Sequence, residues 1–242
     1  MTKLIVKSLN FQVFFNIYIN MKIHGFLCFL ILLFFIITLT PPDVNGQDLK
    51  ENTQLDEKVK MFLSGHSGQW HDMNIPATDG KLLYDIILKN HYRSALEIGT
   101  STGHSGIWIA WALSKTGGKL ITIDIDERRY NTALENFKEA GLSEYIDVRL
   151  ADAHSLVKEI EGSFDFVFSD ADKGWYKNYF IDIDPKLKVG GCFTAHNVSG
   201  EKHSYGSGQG VYLEYVRRLK NYETTVNTSG GGLAISYKRA EK

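Results

Sequence analysis

The stretch Ser94–Asp124, SALEIGTSTGHSGIWIAWALSKTGGKLITID, decides how this chain folds. A short apolar run (Ala95, Leu96, Ile98) breaks at Gly99, passes through small and hydroxylated residues to Gly103, and continues with helical spacing. A second apolar run then ends at Asp124. Strand, glycine turn, helix, strand and acid in that order make a nucleotide site, because the glycines let backbone approach a ligand and an acid at the second strand's end can hold ribose hydroxyls. A dinucleotide fingerprint needs G-x-G-x-x-G, whereas the glycines here fall at Gly99, Gly103 and Gly106 and position 101 is Ser101. That substitution disfavours a pyrophosphate, and with it an NAD-dependent oxidoreductase. A nucleoside without a pyrophosphate fits better, and S-adenosylmethionine is such a ligand.

Outward from this unit the chain alternates strand and helix. Strands are expected at Ser94–Ile98, Lys119–Asp124, Ile146–Leu150, Phe164–Ser169 and Gly191–Ala195, with helices between them such as Glu127–Ala140. A last helix, Val211–Leu219, precedes Glu223–Asn227, the turn Ser229-Gly230-Gly231-Gly232 and Leu233–Tyr237, which reads as a β-hairpin. The expected fold class is therefore α/β: a Rossmann-like, doubly wound, mostly parallel seven-stranded sheet with an antiparallel C-terminal strand and helices on both faces. Upstream, Leu49–Leu63 reads as a polar helix, Ser64–Gly80 as a loop, and Leu82, Leu83, Ile86 and Ile87 as a helix leading into the central strand.

The chain has 242 residues, 27 basic and 28 acidic side chains, and a net charge of -1. That length suits one domain of ~100–200 residues after a leader, and the balanced charge gives no footprint for nucleic acid. Residues 1–46 differ from the rest. Lys3, Lys7 and Lys22 precede any acid, and Phe26–Leu39 is an apolar run of fourteen residues ending before Pro41-Pro42. That is short for a span of ~20 and right for a signal-peptide core of ~7–15. The expectation is translation from Met21 and a cut after Gly46, which leaves residues 47–242 as the enzyme domain. An uncleaved membrane anchor is the rival, and both place the domain across or on a membrane, exported or anchored. The cysteines, Cys28 and Cys192, make neither a disulfide framework nor a zinc pattern.

Polar side chains gather at the carboxyl ends of the expected strands: Glu97 and Gly99, Asp124, Asp152 and His154, then Asp170, Asp172 and Lys173, then His196 and Asn197. Taken with Ala95–Ser105, Leu120–Asp126, Ser169-Asp170-Ala171-Asp172-Lys173 and Tyr176, and Gly190–Asn197, this order resembles the class I O-methyltransferases of the catechol and caffeoyl-CoA type. Met73-Asn74-Ile75-Pro76 with Gly80 is similar to the entry segment of the caffeoyl-CoA branch. The resemblance implies methyl transfer from S-adenosylmethionine to a small hydroxylated acceptor, aromatic in its relatives, and a homodimer. A nucleoside-binding protein of the same fold without turnover is the non-enzymatic alternative.

The resemblance also implies roles. Glu97, Gly99, Gly103, Ser105, Asp124, Asp152, Ala153 and Asp170 would surround the cofactor, with Ser105 on its carboxylate and Asp124 on the ribose. Lys173 would help remove the acceptor proton, and Trp70, Met73, Asp172 and Trp175 would meet the acceptor, with Tyr176 and Tyr205 as further aromatic candidates. Asp170 and Asn197 would hold a divalent metal. Where metal-dependent relatives carry Asp-Asn, this chain has His196-Asn197. An imidazole suits zinc, manganese or iron better than magnesium. His196 is thus a metal ligand of softer character or, without a metal, the base.

Overall fold

In a computed structural model of the chain, the described residues are 49–199 and 207–241. The leader, Cys28 and Tyr205 lie outside them. Among the described residues no helix is long and apolar enough to cross a membrane. The elements run α1 (Thr53–Gly65), α2 (Ala77–Lys89), β1 (Ser94–Ile98), α3 (His104–Thr116), β2 (Lys119–Asp124), α4 (Glu127–Ala140) and β3 (Ile146–Leu150). They continue α5 (Ala153–Glu159), β4 (Phe164–Ser169), α6 (Tyr176–Ile183), β5 (Leu187–His196), α7 (Gly208–Arg217), β6 (Tyr222–Asn227) and β7 (Leu233–Lys238).

The seven strands form one sheet in the order β3-β2-β1-β4-β5-β7-β6. β1 pairs in parallel with β2 on one side and β4 on the other, and β4 pairs in parallel with β5. β7 runs antiparallel to both β5 and β6. The fold is the doubly wound, mostly parallel sheet that the alternating pattern predicts. Its central strands are nearly continuous apolar runs, since both faces are covered.

Along β4, Phe164 and Val167 enter one apolar layer, while Phe166 and Phe168 enter the other. The first layer is closed by α5, α6 and α7 through Val157, Tyr176, Phe180, Tyr212 and Val216. The second is closed by α2 and α3 through Leu83, Ile87, Ile109 and Leu113. α1 and α4 pack beside α3 through Val59, Ala133 and Phe137.

Several element boundaries move, among them α1, which begins at Thr53 rather than Leu49. β5 begins at Leu187 and reaches His196, so it is longer than Gly191–Ala195. α7 starts at Gly208, where the Ser207 hydroxyl accepts the N–H of Gly210, rather than at Val211. The loop expected to run to Gly80 ends at Pro76, because α2 begins at Ala77 and places Asp79 and Gly80 in its first turn. Pro76 introduces this helix from extended backbone. Gly80 is there for packing: a Cβ on it would overlap the Trp108 indole of α3.

The sequence order reverses direction across the sheet between β1 and β4, which are neighbours although two strands separate them in the chain. Such a switch point opens a crevice at the carboxyl ends of the strands. The polar strand ends of the sequence pattern, Glu97 apart, meet there.

Candidate active site

A cavity of about 640 Å³ occupies this edge, walled by residues that follow β1, β2, β3, β4 and β5 in turn. Gly99, at φ 102°, ends β1. A Cβ there would come within 3.0 Å of the Asp170 and Ala171 backbone, so glycine is what lets the ends of β1 and β4 close together. The N–H groups of Gly99 and Thr100 both donate to the Ile123 carbonyl, at 2.9 and 3.1 Å. The turn then passes through Ser101 at φ 48°.

Ser101 donates its N–H to Asp124 Oδ2 at 2.7 Å, and Asp126 donates to Asp124 Oδ1 at 2.9 Å. Two backbone donors therefore aim this buried carboxylate at the cavity, with lone pairs left over for hydroxyl donors. Ser101 does more here than fill the place of a second glycine. Its N–H is already committed to Asp124, and its hydroxyl donates to the Asp72 carbonyl of the rim. Gly103, at φ 98°, caps α3 and lies against the Phe137 ring, where a Cβ would meet it at 2.7 Å. Gly103 supports the turn from beneath, while Ser105 reaches the cavity wall.

Glu97 is fully buried and is not among the lining side chains. Its Oε2 accepts from Thr122 Oγ1 at 2.6 Å. Burial pushes its pKa up to about 8, against the opposing pull of hydrogen bonds from Ser105 and Thr122. It is a floor residue, coupled to the cavity through Ser105.

After β3, Asp152 accepts the N–H of His154 at 2.9 Å and starts α5, so Asp152, Ala153 and His154 share one wall. His154 Nε2 lies 3.2 Å from Asp172 Oδ2, and its ring stacks on Trp175 at 4.4 Å. Trp175 thus backs the wall rather than lining it. Trp70 stacks on His104 at 4.3 Å, also off the cavity. Burial lowers the His104 pKa to about 4, against a hydrogen bond with the Ile75 carbonyl.

Met73 is 71% exposed and stands on the rim at φ 64°. Its segment is clipped down on both sides. Asn74 Nδ2 donates to Thr102 Oγ1 at 2.7 Å, and Asp72 pairs with Arg129 at 2.8 Å and Arg128 at 2.5 Å. Those two guanidiniums, Arg129 foremost, hold the Asp72 pKa down to about 2.

The last corner is built from β4 and β5. Asp170 Oδ1 pairs with Lys173 Nζ, and Lys173 lies 3.0 Å from the Tyr176 hydroxyl. Tyr176 itself is buried, and its pKa is pushed far up by that burial and by Asp170. On the other side of Asp170, Oδ2 sits 3.2 Å from His196 Nδ1. The opposite ring nitrogen, Nε2, donates to Asp79 Oδ2 at 2.9 Å, and the Gly231 N–H donates to the same oxygen at 2.7 Å. Burial lowers the His196 pKa, but the Asp170 and Asp79 carboxylates outweigh it and raise it above the ordinary histidine value.

The sequence pattern places Asp170, Lys173, His196 and Asn197 at neighbouring strand ends, and they do share this corner. Asp79 was not foreseen. It sits 117 residues from His196 in sequence, on a helix turn read as loop, and only its position in the Met73–Gly80 segment hinted at the site.

A divalent ion fits this corner. His196 Nδ1 is buried, has no hydrogen-bond partner and faces the side where Asp170 Oδ2 lies. Asn197, at φ 55°, follows on the cavity wall. Among the described residues no group of three or more His, Cys, Asp and Glu side chains gathers for a metal. The third protein donor would be the Asn197 amide.

The sequence model of the O-methyltransferase family matches residues 47–205. Caffeoyl-CoA O-methyltransferase 1 of Eucalyptus globulus is 30% identical over 95 residues, which span 37% of this chain and 39% of that protein. The caffeoyl-CoA O-methyltransferase of Medicago sativa is 30% identical over 96 residues, again 37% of this chain and 39% of the relative. Among solved structures, the Bacillus cereus O-methyltransferase in complex with SAH shares the fold with a TM-score of 0.63 at 23% identity, over 78% of this chain and 92% of that one. TomG of Streptomyces achromogenes, an O-methyltransferase in complex with SAM, has a TM-score of 0.64 at 22% identity, over 79% and 92%. With its glycine turn, its buried strand-end acid and its family match across more than half its length, the chain belongs to the O-methyltransferase family.

Proposed function

We propose that this protein transfers a methyl group from S-adenosylmethionine to a hydroxyl of a small molecule. The observation that carries the reading is the cavity itself, where Gly99, Ser105, Asp124 and Asp152 line one half and Asp170, Lys173, His196 and Asn197 the other. In the first half, Asp124 accepts the ribose hydroxyls, Asp152 and Ala153 border the base, and Ser105 binds the carboxylate of the methionine part. The second half takes the acceptor. Tyr179 and His154 lend it aromatic surface, and Met73 covers it from the rim.

The sulfonium already activates its methyl group. The protein's share is to hold the acceptor oxygen in line behind that carbon and to lower the cost of its negative charge. The carbon–sulfur bond breaks as the carbon–oxygen bond forms, the sulfur keeps the electron pair, and the hydroxyl proton leaves to solvent water. Lys173, fixed by Asp170 and the Tyr176 hydroxyl, supplies a positive hydrogen-bond donor to the oxygen that remains. A divalent ion held by Asp170, His196 and Asn197 would supply Lewis-acid charge to the same oxygen.

Calorimetric titration with S-adenosylmethionine, followed by mass-spectrometric assay of a phenol and catechol panel, tests the reading. Asp124→Ala should weaken cofactor binding roughly 10–100-fold, the worth of hydrogen bonds to a charged group. Lys173→Ala should leave cofactor affinity unchanged and lower turnover by about 100-fold or more. Full activity of both variants would overturn the assignment, and so would binding without transfer to any member of the panel.

A further inference from the structure

The Asp124 carboxylate is held by a closed circuit of hydrogen bonds that runs out to the rim of the cavity and back. The Ser101 N–H donates to Asp124 Oδ2 at 2.7 Å, and the Asp126 N–H donates to Oδ1 at 2.9 Å. Asp126 is the N-cap of α4, and its Oδ1 accepts the Arg129 N–H at 2.9 Å. From the first turn of that helix the Arg129 guanidinium reaches Asp72 Oδ1, at 2.8 Å from Nη2 and 3.2 Å from Nε. The Ser101 hydroxyl donates to the Asp72 carbonyl at 2.5 Å and completes the ring.

Backbone geometry marks the same ring. Asp72 and Met73, both at φ 64°, and Ser101, at φ 48°, are three of the five non-glycine residues with positive φ among the described residues. Side chains rarely adopt that conformation, and it persists where the surroundings over-determine it. Asn136 of α4 adds a further tie, donating to the Thr102 carbonyl of the turn at 2.8 Å.

The ring has a chemical consequence. A carboxylate offers about four lone pairs, two on each oxygen. A backbone donor takes one on each Asp124 oxygen, so one on each is left at the cavity wall, which suits two adjacent hydroxyls. Arg129 also lines the cavity and feels the Asp124 charge. Its pairing with Asp72 keeps this cation from folding onto Asp124 and occupying the lone pairs that a ribose needs.

We propose that Asp72 and Arg129 are positioning residues for the cofactor ribose: the ring they close with Ser101 fixes Asp124 for a vicinal diol and sets the preference for a ribonucleoside over its 2′-deoxy counterpart. Both act through Asp124. The proposal rests on the methyl-transfer reading for the identity of the nucleoside.

The test is calorimetric titration of the full chain with S-adenosylhomocysteine and with its 2′-deoxy counterpart, read as the ratio of the two affinities. Wild type should favour the ribonucleoside by roughly 10-fold or more, the worth of a hydrogen bond to a charged group. Asp72→Ala and Arg129→Ala should each weaken S-adenosylhomocysteine roughly 5–10-fold and bring the ratio about 3-fold or more closer to one. Arg129→Lys, which keeps a point charge for Asp72, should restore part of that ratio. In the Asp124→Ala background, adding Asp72→Ala should cost nothing further, because the two act in one circuit. Ser101→Ala opens the ring at a hydroxyl and leaves the ion pair in place, so it repeats the measurement if melting shows that a charge variant does not fold. Equal losses for the two ligands, with the ratio at its wild-type value, would overturn the proposal, and so would additive losses in the double variant. If wild type binds neither ligand, the methyl-transfer reading falls. If it binds both and the ratio does not move in the variants, that reading stands and the ring alone falls.

Discussion

Glu97 shows how far a single residue's role can be read from its position. The strand end called for a polar group, and its spacing next to Gly99 pointed toward the cofactor. The alternation of β1 turns Glu97 to the face of the sheet under α3, where it is fully buried and bonded to Thr122. Sequence supplies the strand but not which of two faces a given side chain takes at its end, and that choice separates a floor residue from a ligand. The consequence is measurable. Burial raises the folded-state pKa from 4.5 to about 8, so the folded protein holds a proton there that the unfolded chain loses above pH 4.5. The stability linked to that proton is fully present below pH 4.5 and is lost as the pH rises through 8. Each pH unit within the window is worth at most ~1.4 kcal/mol. In urea unfolding of the ligand-free protein at pH 5.5 and 8.5, Glu97→Gln should therefore flatten the decline by about 1–4 kcal/mol. Parallel slopes for the two proteins would show that the carboxyl is ionised and solvated in the folded state. Asp79 marks the opposite limit, since nothing local in Ala77–Gly80 says that this acid reaches a histidine at the far end of β5.

At the scale of elements, the strands were legible and the entry segment was not. Apolar runs of strand length bounded by polar residues mark β1 to β4 directly, and the doubly apolar β4, FDFVFS, identifies a strand covered on both sides. The Pro76–Gly80 stretch misleads because proline and glycine punctuate loops in general, whereas here one precedes a helix and the other lets two helices touch. α2 and α3 meet at Gly80 and Trp108, and α2 carries Asp79 into the site. Gly80→Ala should cost about 1–3 kcal/mol, the range for forcing a methyl into a filled contact. Gly65→Ala, at the end of α1 with nothing within 4 Å, should instead stabilise by about 0.5–1 kcal/mol. Denaturation midpoints that move in opposite directions for these two alanines would bear out the contact, and equal shifts would refute it.

For the whole molecule, the turn that organises the chain also sets which nucleotide can stabilise it. The ends of β1 and β2 are joined through Ser101, whose N–H bonds Asp124 and whose hydroxyl bonds the rim. A pyrophosphate at this turn would need the Ser101 N–H that Asp124 holds, and a nucleoside lying along Asp124 and Asp152 does not. A ligand in this cavity would join five strand ends, because residues that follow β1 through β5 line it. A ligand that binds only the folded state adds RT ln(1 + [L]/Kd), or about 2.7 kcal/mol at 100 times Kd. For a domain of this size, 1 kcal/mol moves the melting temperature by about 2–4 °C. S-adenosylmethionine at 100 times its Kd should therefore raise the melting temperature by roughly 5–11 °C. NAD at the same concentration should leave it within about 1 °C, since it gains no foothold at Ser101. Asp124→Ala should remove most of the shift without lowering the ligand-free melting temperature by as much, because its loss frees two backbone donors at the cavity edge but touches neither apolar layer. An NAD shift equal to that of S-adenosylmethionine would mean that the Ser101–Asp124 bond opens to admit a pyrophosphate, and the glycine turn would no longer choose between the two cofactors.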